Sequence, residues 1–196
     1  SAGAEVKVLT LSTQKHPFIE KEYSKDYLSK TNIDHVFIDT KVNVKGAFIN
    51  LFGSKSYNIE RFYSKTFEAR IIDVLNTQDY DAVLLEGLYV TPYLNVIRSN
   101  SSSKVIYRSH NVEYEIWERN ANEHTGPKKG YLNLLAKRLK RYEQDIMHKF
   151  DGIAAITEKD KQVLQKMGGK NIVVIPFGID CTKYVGFEGE KGSLFY

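Results

Sequence analysis

The chain has 196 residues, of which 42% are hydrophobic, and a formal net charge of +4. This length supports one fairly large globular domain, or a domain followed by the beginning of another, and no apolar run is long enough to cross a bilayer. Cys181 is the only cysteine, which excludes an internal disulfide and favours a reducing, cytoplasmic location. No CxxC or HExxH pattern occurs, so we predict no metal site.

Short apolar runs alternate along the chain with stretches of helical periodicity. The runs predict strands at 6–12, 35–39, 82–86, 104–109, 152–157 and 171–177. The intervening stretches predict helices at 18–30, 58–76, 91–99, 112–121, 131–149 and 158–167. The strands are almost continuously apolar, as expected of parallel strands covered on both faces. We therefore predict an α/β fold with a doubly wound, mostly parallel, Rossmann-like sheet and helices on both faces.

The loop after the first strand, "STQKHPF", decides against nucleotide cofactors. A dinucleotide-binding domain needs glycines there, because they let backbone amides approach a pyrophosphate. No glycine occurs between Ala4 and Gly46, and the chain has no GxxxxGK[ST] loop. An NAD- or FAD-dependent oxidoreductase and a P-loop nucleotidase are therefore excluded. By residue type alone, His16 is an ordinary loop residue.

Ligands of such sheets bind at the carboxyl ends of the strands, and polar residues follow three of the predicted strands. Glu86 and Gly87 end the strand at 82–86, where Glu86 would accept hydrogen bonds in a cleft. Thr157 ends the strand at 152–157 and is the predicted N-cap of the next helix. The remaining group, in "YRSHNVEYEIWERNA" (107–121), is the most informative of the three.

The corner is the turn between the strand predicted at 104–109 and the helix predicted at 112–121. Here Arg108 offers paired donors to an anion, and His110 can exchange hydrogen bonds with a sugar hydroxyl or a phosphate near neutral pH. Asn111 lies where a helix N-cap belongs, so its side chain is predicted to accept from a free backbone N–H. Spacing alone leaves two interpretations of His110: a structural hydrogen bond and a contact to a ligand.

The helix predicted at 131–149 combines an apolar stripe with basic residues. The stripe predicts burial of one face, and its residues recur at steps of three and four: Leu132, Leu135, Leu139, Tyr142 and Ile146. Lys137, Arg138, Lys140 and Arg141 cover the rest. They form either a solvated face or a salt-sensitive contact with anionic lipid headgroups. One basic element on an otherwise neutral chain does not indicate nucleic-acid binding.

Four stretches together resemble the N-terminal domain of group 1, family 4-like glycosyltransferases of the GT-B fold. They match in order and spacing over about residues 80–185: "YRSHNVEYEIWERNA", "YLNLLAKRLKRYEQDI", "FDGIAAITEKDKQVLQKMG" and "VIPFGID". The resemblance implies an N-terminal, acceptor-side Rossmann-like domain at 1–185. It also implies a linker with the start of a donor-binding domain at 186–196, so this fragment alone is expected to be inactive.

The resemblance also implies roles for individual residues. His110 would line the cleft facing the transferred sugar and bind the donor rather than act as a nucleophile. Arg108, Asn111, Glu86 and Gly87 would bind substrate around it. The loop after the first strand, with Thr13 and His16, would approach donor and acceptor. The family usually has a Gly-Gly pair in that loop, and "TQKHPFIEKEY" has none.

The implied activity is retaining transfer of a hexose from a nucleotide sugar to a glycan or lipid-linked acceptor, in synthesis of a bacterial surface polysaccharide. The resemblance implies no cofactor and no metal, and a cytoplasmic protein with a peripheral contact at the inner face of the membrane as an open alternative. The competing hypothesis is a non-catalytic α/β binding or interaction domain that kept the fold. The missing Gly-Gly pair favours that hypothesis, whereas His110 and the "VIPFGID" linker favour the transferase.

Overall fold

The computed structural model describes residues 3–41, 50–51 and 53–178. Strands and helices alternate along this part of the chain, as the sequence predicts. The strands are β1 (Leu9–Ser12), β2 (Asp34–Phe37), β3 (Ala82–Glu86), β4 (Lys104–Arg108), β5 (Gly152–Ala155) and β6 (Ile172–Val174). The α-helices are α1 (Lys25–Thr31), α2 (Tyr57–Glu60), α3 (Lys65–Leu75), α4 (Leu94–Asn100), α5 (Glu113–Asn122), α6 (Gly126–Met147) and α7 (Glu158–Lys166). Two 3-10 helices occupy Glu20–Glu22 and Leu88–Tyr93.

The described strands form two parallel sheets. One pairs β1 with β2, and the other has the order β3-β4-β5-β6. Leu9, Leu11 and Val36 of the smaller sheet pack against the same core as the larger one. The predicted α/β, Rossmann-like fold with mostly parallel strands is confirmed, but the six strands belong to two hydrogen-bonded sheets in the described part of the chain.

Two of the predicted helices are interrupted by serine caps. Within 18–30, Ser24 accepts a hydrogen bond from the N–H of Tyr27 and begins α1. Within 58–76, Ser64 accepts from the N–H of Phe67 and begins α3. Serine stabilises the extended backbone that precedes a helix and competes with helical continuation. Periodicity alone therefore merged segments that the two serines separate.

The core lies between the four-stranded sheet and the helices that connect its strands. Val105 and Tyr107 of β4 are completely buried, as are Leu139 of α6 and Leu164 of α7. The predicted stripe of α6 is confirmed, since Leu132, Leu135, Leu139 and Ile146 are buried and Tyr142 is partly buried against the core. Burial of this stripe against β4 and α5 fixes the position of the corner between them.

The predicted boundary between residues 185 and 186, the linker and Cys181 lie outside the described residues. In the described part of the chain, no helix is both long enough and apolar enough to cross a membrane.

Candidate functional site

The carboxyl ends of β3 and β4 bring together the residues that the sequence singled out. Glu86 and Arg108 are register partners in the parallel pair, so the segments that follow them leave the same edge of the sheet. The N–H of Gly87 donates to the carbonyl of Arg108 at 3.0 Å. Gly87 has φ +89°, a conformation that favours glycine. This turn directs the chain away from the sheet and leaves Glu86 facing the corner after β4.

His110 and Glu86 form the closest polar contact of this site. The His110 Nε2 atom lies 2.6 Å from the Glu86 Oε2 atom, and the Arg108 guanidinium lies 3.4 Å from Oε1 of the same carboxylate. Both partners are accessible, with 39% of the His110 side chain and 45% of the Glu86 side chain exposed. A carboxylate on one imidazole nitrogen orients the ring and selects its tautomer. The other nitrogen, Nδ1, is the atom available to a ligand.

Phe177 lies beside Arg108 and His110 and was not predicted as a site residue. The guanidinium carbon of Arg108 lies 5.3 Å from the Phe177 ring centroid, and the His110 ring centroid lies 6.2 Å from it. Phe177 is 61% exposed, so its ring is accessible beside these two side chains. Phe177 follows β6, so the rule that ligands collect at strand ends could have identified it.

A second pair lies beneath the corner. The Tyr89 hydroxyl donates to the Glu113 carboxylate at 2.9 Å. Burial raises the pKa of Glu113, while hydrogen bonds from Tyr89 and Asn111 oppose the rise. Sequence reasoning missed both residues, because neither follows a strand directly. Their contact joins the 3-10 helix after β3 to the first turn of α5.

The prediction that Asn111 is the N-cap of the following helix is wrong. Val112 occupies the N-cap position, and its side chain makes no capping bond. The Glu143 carboxylate of α6 accepts from the N–H groups of Glu113 and Tyr114 instead, at 3.1 and 2.8 Å. The Asn111 carbonyl accepts from the Ser109 hydroxyl at 2.9 Å. A ligand contact by Asn111 stays a prediction.

The loop after β1 uses its polar groups internally. The N–H of His16 donates to the Thr13 hydroxyl oxygen at 3.0 Å, and the N–H of Thr13 donates to the His16 carbonyl at 3.0 Å. Ser12 likewise accepts from the N–H of Phe18. Thr13 is buried and His16 is exposed. Among the described residues, no hydrogen bond or ring contact joins this loop to the His110 group, so its predicted ligand contacts stay predictions.

The four basic residues of α6 do not share one free surface. The Arg138 guanidinium donates to backbone carbonyls of Asn50 (2.7 Å) and Leu51 (3.0 Å) and to that of Gly53. The Lys140 ammonium lies 4.3 Å from the Tyr114 ring centroid and 3.6 Å from the Glu118 carboxylate. Arg138 and Lys140 therefore make contacts within the protein, and their membrane-facing role stays a prediction. Lys137 and Arg141 are exposed.

A cleft of about 650 Å³ lies apart from the strand ends, beside α2, α6 and the 3-10 helix Leu88–Tyr93. None of the predicted substrate-binding residues lines it; its walls include Lys55, Tyr63, Arg138, Arg141 and Lys149. The residues that the sequence predicts to bind substrate lie at the strand ends instead. Among the described residues, no group of three or more His, Cys, Asp or Glu side chains is placed to hold a metal ion.

A match to a known protein family covers most of the chain. The family model described as Glycosyltransferase Family 4 matches residues 1–183. Among curated proteins, none matches the chain significantly.

Proposed function

Because the chain belongs to glycosyltransferase family 4, we propose that it supplies the acceptor-side half of a retaining enzyme that uses a nucleotide-sugar donor. The transferred group is a hexose and the acceptor is a glycan or a lipid-linked sugar of a bacterial surface polysaccharide. The observation that carries the proposal is the accessible pair formed by His110 and Glu86 at 2.6 Å. It lies at the carboxyl ends of adjacent parallel strands, where ligands of α/β sheets bind.

In this proposal His110 binds the transferred sugar and is not a nucleophile. Glu86 accepts from the N–H of His110 Nε2, so the neutral ring presents Nδ1 as an acceptor to a sugar hydroxyl. Arg108 provides a fixed positive charge near the departing diphosphate, and Phe177 provides an apolar face beside it. Donors positioned in this way stabilise the charges that develop as the glycosidic bond breaks. The mechanism needs no metal and no cofactor.

The test uses the longest native protein that contains this chain, with a panel of nucleotide sugars. We expect His110→Ala to reduce sugar transfer and donor hydrolysis by at least about 100-fold, as loss of a positioned polar group at a reaction centre does. Glu86→Gln should cause a smaller loss, because the ring remains but its orientation is no longer fixed. His148→Ala removes an exposed histidine that directly follows α6 and should leave turnover unchanged.

A folded protein that turns over no donor would contradict the proposal and favour the alternative, a non-catalytic α/β binding or interaction domain. One observation supports that alternative. The loop after β1 lacks the glycine pair, and its Ser12 and Thr13 hydroxyls accept hydrogen bonds from its own backbone. Binding of nucleotide sugars without turnover, measured by calorimetry, would distinguish the two functions.

We also propose a peripheral contact with anionic lipid at the cytoplasmic face of the membrane, made by Lys137 and Arg141 of α6. Both are exposed, and each basic residue near such a surface contributes about 1 kcal/mol. Sedimentation with phosphatidylserine vesicles should weaken in the Lys137→Ala/Arg141→Ala variant and at high salt. Binding that is equal with neutral vesicles, or unaffected by the two substitutions, would contradict this contact.

A further inference from the structure

Glu143 is a completely buried carboxylate in the C-terminal part of α6. In the part of the chain that the structure describes, no cation forms a salt bridge with it: the nearby Lys140 pairs with Glu118 and lies over the Tyr114 ring. Its oxygens instead accept two backbone N–H groups, one each, from Glu113 and Tyr114. Burying a carboxylate without a cation is costly, so its presence calls for a physical reason.

The usual way to satisfy the first N–H groups of a helix is a local one. Ser, Thr, Asp or Asn at the N-cap accepts from the second or third helical residue, as Ser64 and Thr157 do in this protein. At the start of α5 the N-cap is Val112, whose side chain cannot accept a hydrogen bond. The two N–H groups are bonded from 29 and 30 residues away. A remote cap does something a local cap cannot, because it ties the start of α5 to another helix.

The segment tied in this way is the one that carries His110. On its other side, the N–H of Ser109 donates to the carbonyl of Ala154 in β5 at 2.9 Å, so β4 and β5 fix the corner where it leaves the sheet. Between Ser109 and Glu113 lie His110, Asn111 and the buried Val112. The His110 ring therefore reaches Glu86 from a short segment whose two ends are both anchored.

We propose that Glu143 is a positioning residue: its carboxylate caps α5 from within the core and thereby holds His110 against Glu86. It touches no substrate and acts through the first turn of α5. The importance of His110 rests on the proposed function, but the positioning itself can be measured without any activity.

The ionised form of Glu143 is the one suited to this role. A carboxylate offers acceptors on both oxygens, whereas the protonated acid turns one oxygen into a donor facing an N–H group. The groups that face it are Glu113, Tyr114 and Glu115 from α5 and Tyr107 from β4. Burial, aided by Glu113 and Glu115, raises the pKa of Glu143 to about 7, against the lowering by the two N–H groups. The cap should therefore weaken as the pH falls below about 7.

The experiment compares Glu143→Gln with Glu115→Gln by NMR at pH 8. Both variants remove one negative charge from the same surroundings, but only the first removes a capping oxygen. In Glu143→Gln we expect amide hydrogen exchange at Glu113 or Tyr114 to be at least about tenfold faster, as loss of a hydrogen bond to a charged group implies, and the ring signals of His110 to move. Glu115→Gln should change neither.

Equal exchange rates and unmoved His110 signals in the two folded variants would overturn the proposal. If Glu143→Gln does not fold, the unsubstituted protein decides: backbone amide signals of His110, Glu113 and Tyr114 should change with one common midpoint near pH 7. Different midpoints would overturn it. A Glu143 effect on these signals in a protein that transfers no sugar would leave the positioning intact and refute only the proposed function.

Discussion

The residues of the site at the strand ends make side-chain contacts with residues that are distant in the sequence. The type of each residue allows these contacts but does not determine the partner. His110 and Glu86 are separated by 24 positions in the chain, yet their side-chain atoms lie 2.6 Å apart. Parallel pairing of β3 with β4 places both strand ends at one edge, and the turn at Gly87 keeps that edge open. A Cβ atom on Gly87 would lie 3.8 Å from His110 Nδ1, so space permits a side chain there but the backbone conformation does not.

We predict that Gly87→Ala lowers the free energy of unfolding by roughly 1–3 kcal/mol, because its φ of +89° is rare for residues with a side chain. Gly130→Ala is the matched control: Gly130 lies inside α6 with nothing within 4 Å of an added Cβ. That change should stabilise the protein by about 0.5–1 kcal/mol. Urea denaturation measures both, and two changes of the same sign would contradict the prediction.

At the scale of single elements, caps and buried faces decide where helices begin and how they pack. Thr157 begins α7 by accepting from the N–H of Asp160 at 3.0 Å, which confirms the predicted N-cap. Gly168 ends the turn after α7 with φ +94°, and Gly169 is packed too closely for a side chain, because an added Cβ atom would lie 2.9 Å from the Leu164 carbonyl oxygen. These local features mark the two ends of α7, which connects β5 to β6 in the chain.

Thr157→Ala should reduce the free energy of unfolding by about 1 kcal/mol, since it removes the acceptor for the Asp160 N–H. Thr66→Ala makes the same change at an exposed position inside α3, where alanine is the better helix former, and should be neutral or slightly stabilising. Thermal denaturation of the two variants compares them directly. Equal losses would show that the hydroxyl at 157 contributes nothing as a cap.

For the whole molecule, buried and paired carboxylates impose opposite pH dependences. Burial acts to raise the pKa of Asp34, but the hydrogen bond from Arg70 lowers it overall; the Val105 N–H and Arg98 lower the pKa of Asp151. Stability from these two groups is present above their unfolded pKa and is lost as the pH falls. Glu143 behaves in the opposite way, because its pKa is raised by burial from 4.5 to about 7. Stability from Glu143 is therefore greatest below about pH 4.5, where the group is protonated and the cap is weak, and is lost as the pH rises through 7, because the cost of burying the charge exceeds what the cap contributes.

Relative to Glu143→Gln, the unsubstituted protein should therefore lose roughly 3 kcal/mol of unfolding free energy between pH 4.5 and pH 8. Glutamine cannot ionise, and the contributions of Asp34 and Asp151 cancel in the difference. Urea denaturation of both proteins at several pH values in this range measures it. The measured quantity is the unfolding free energy of the unsubstituted protein minus that of Glu143→Gln. If it does not change with pH, or rises with pH, the result would contradict the burial of an ionised Glu143.

The amino-acid sequence by itself determined the features that depend on near neighbours. Apolar runs predicted the strands, the three- and four-residue steps predicted the buried face of α6, and the hydroxyl of Thr157 predicted a cap, because each reflects contacts within a few residues. The placement of Glu86 and His110 at strand ends follows from the same patterns. Only the tertiary structure decided which distant groups meet: Phe177 beside Arg108, Arg138 on the carbonyls of Asn50, Leu51 and Gly53, and Glu143 in place of Asn111 at the start of α5. Periodicity does not predict such pairings, because they depend on how the helices pack on the sheet.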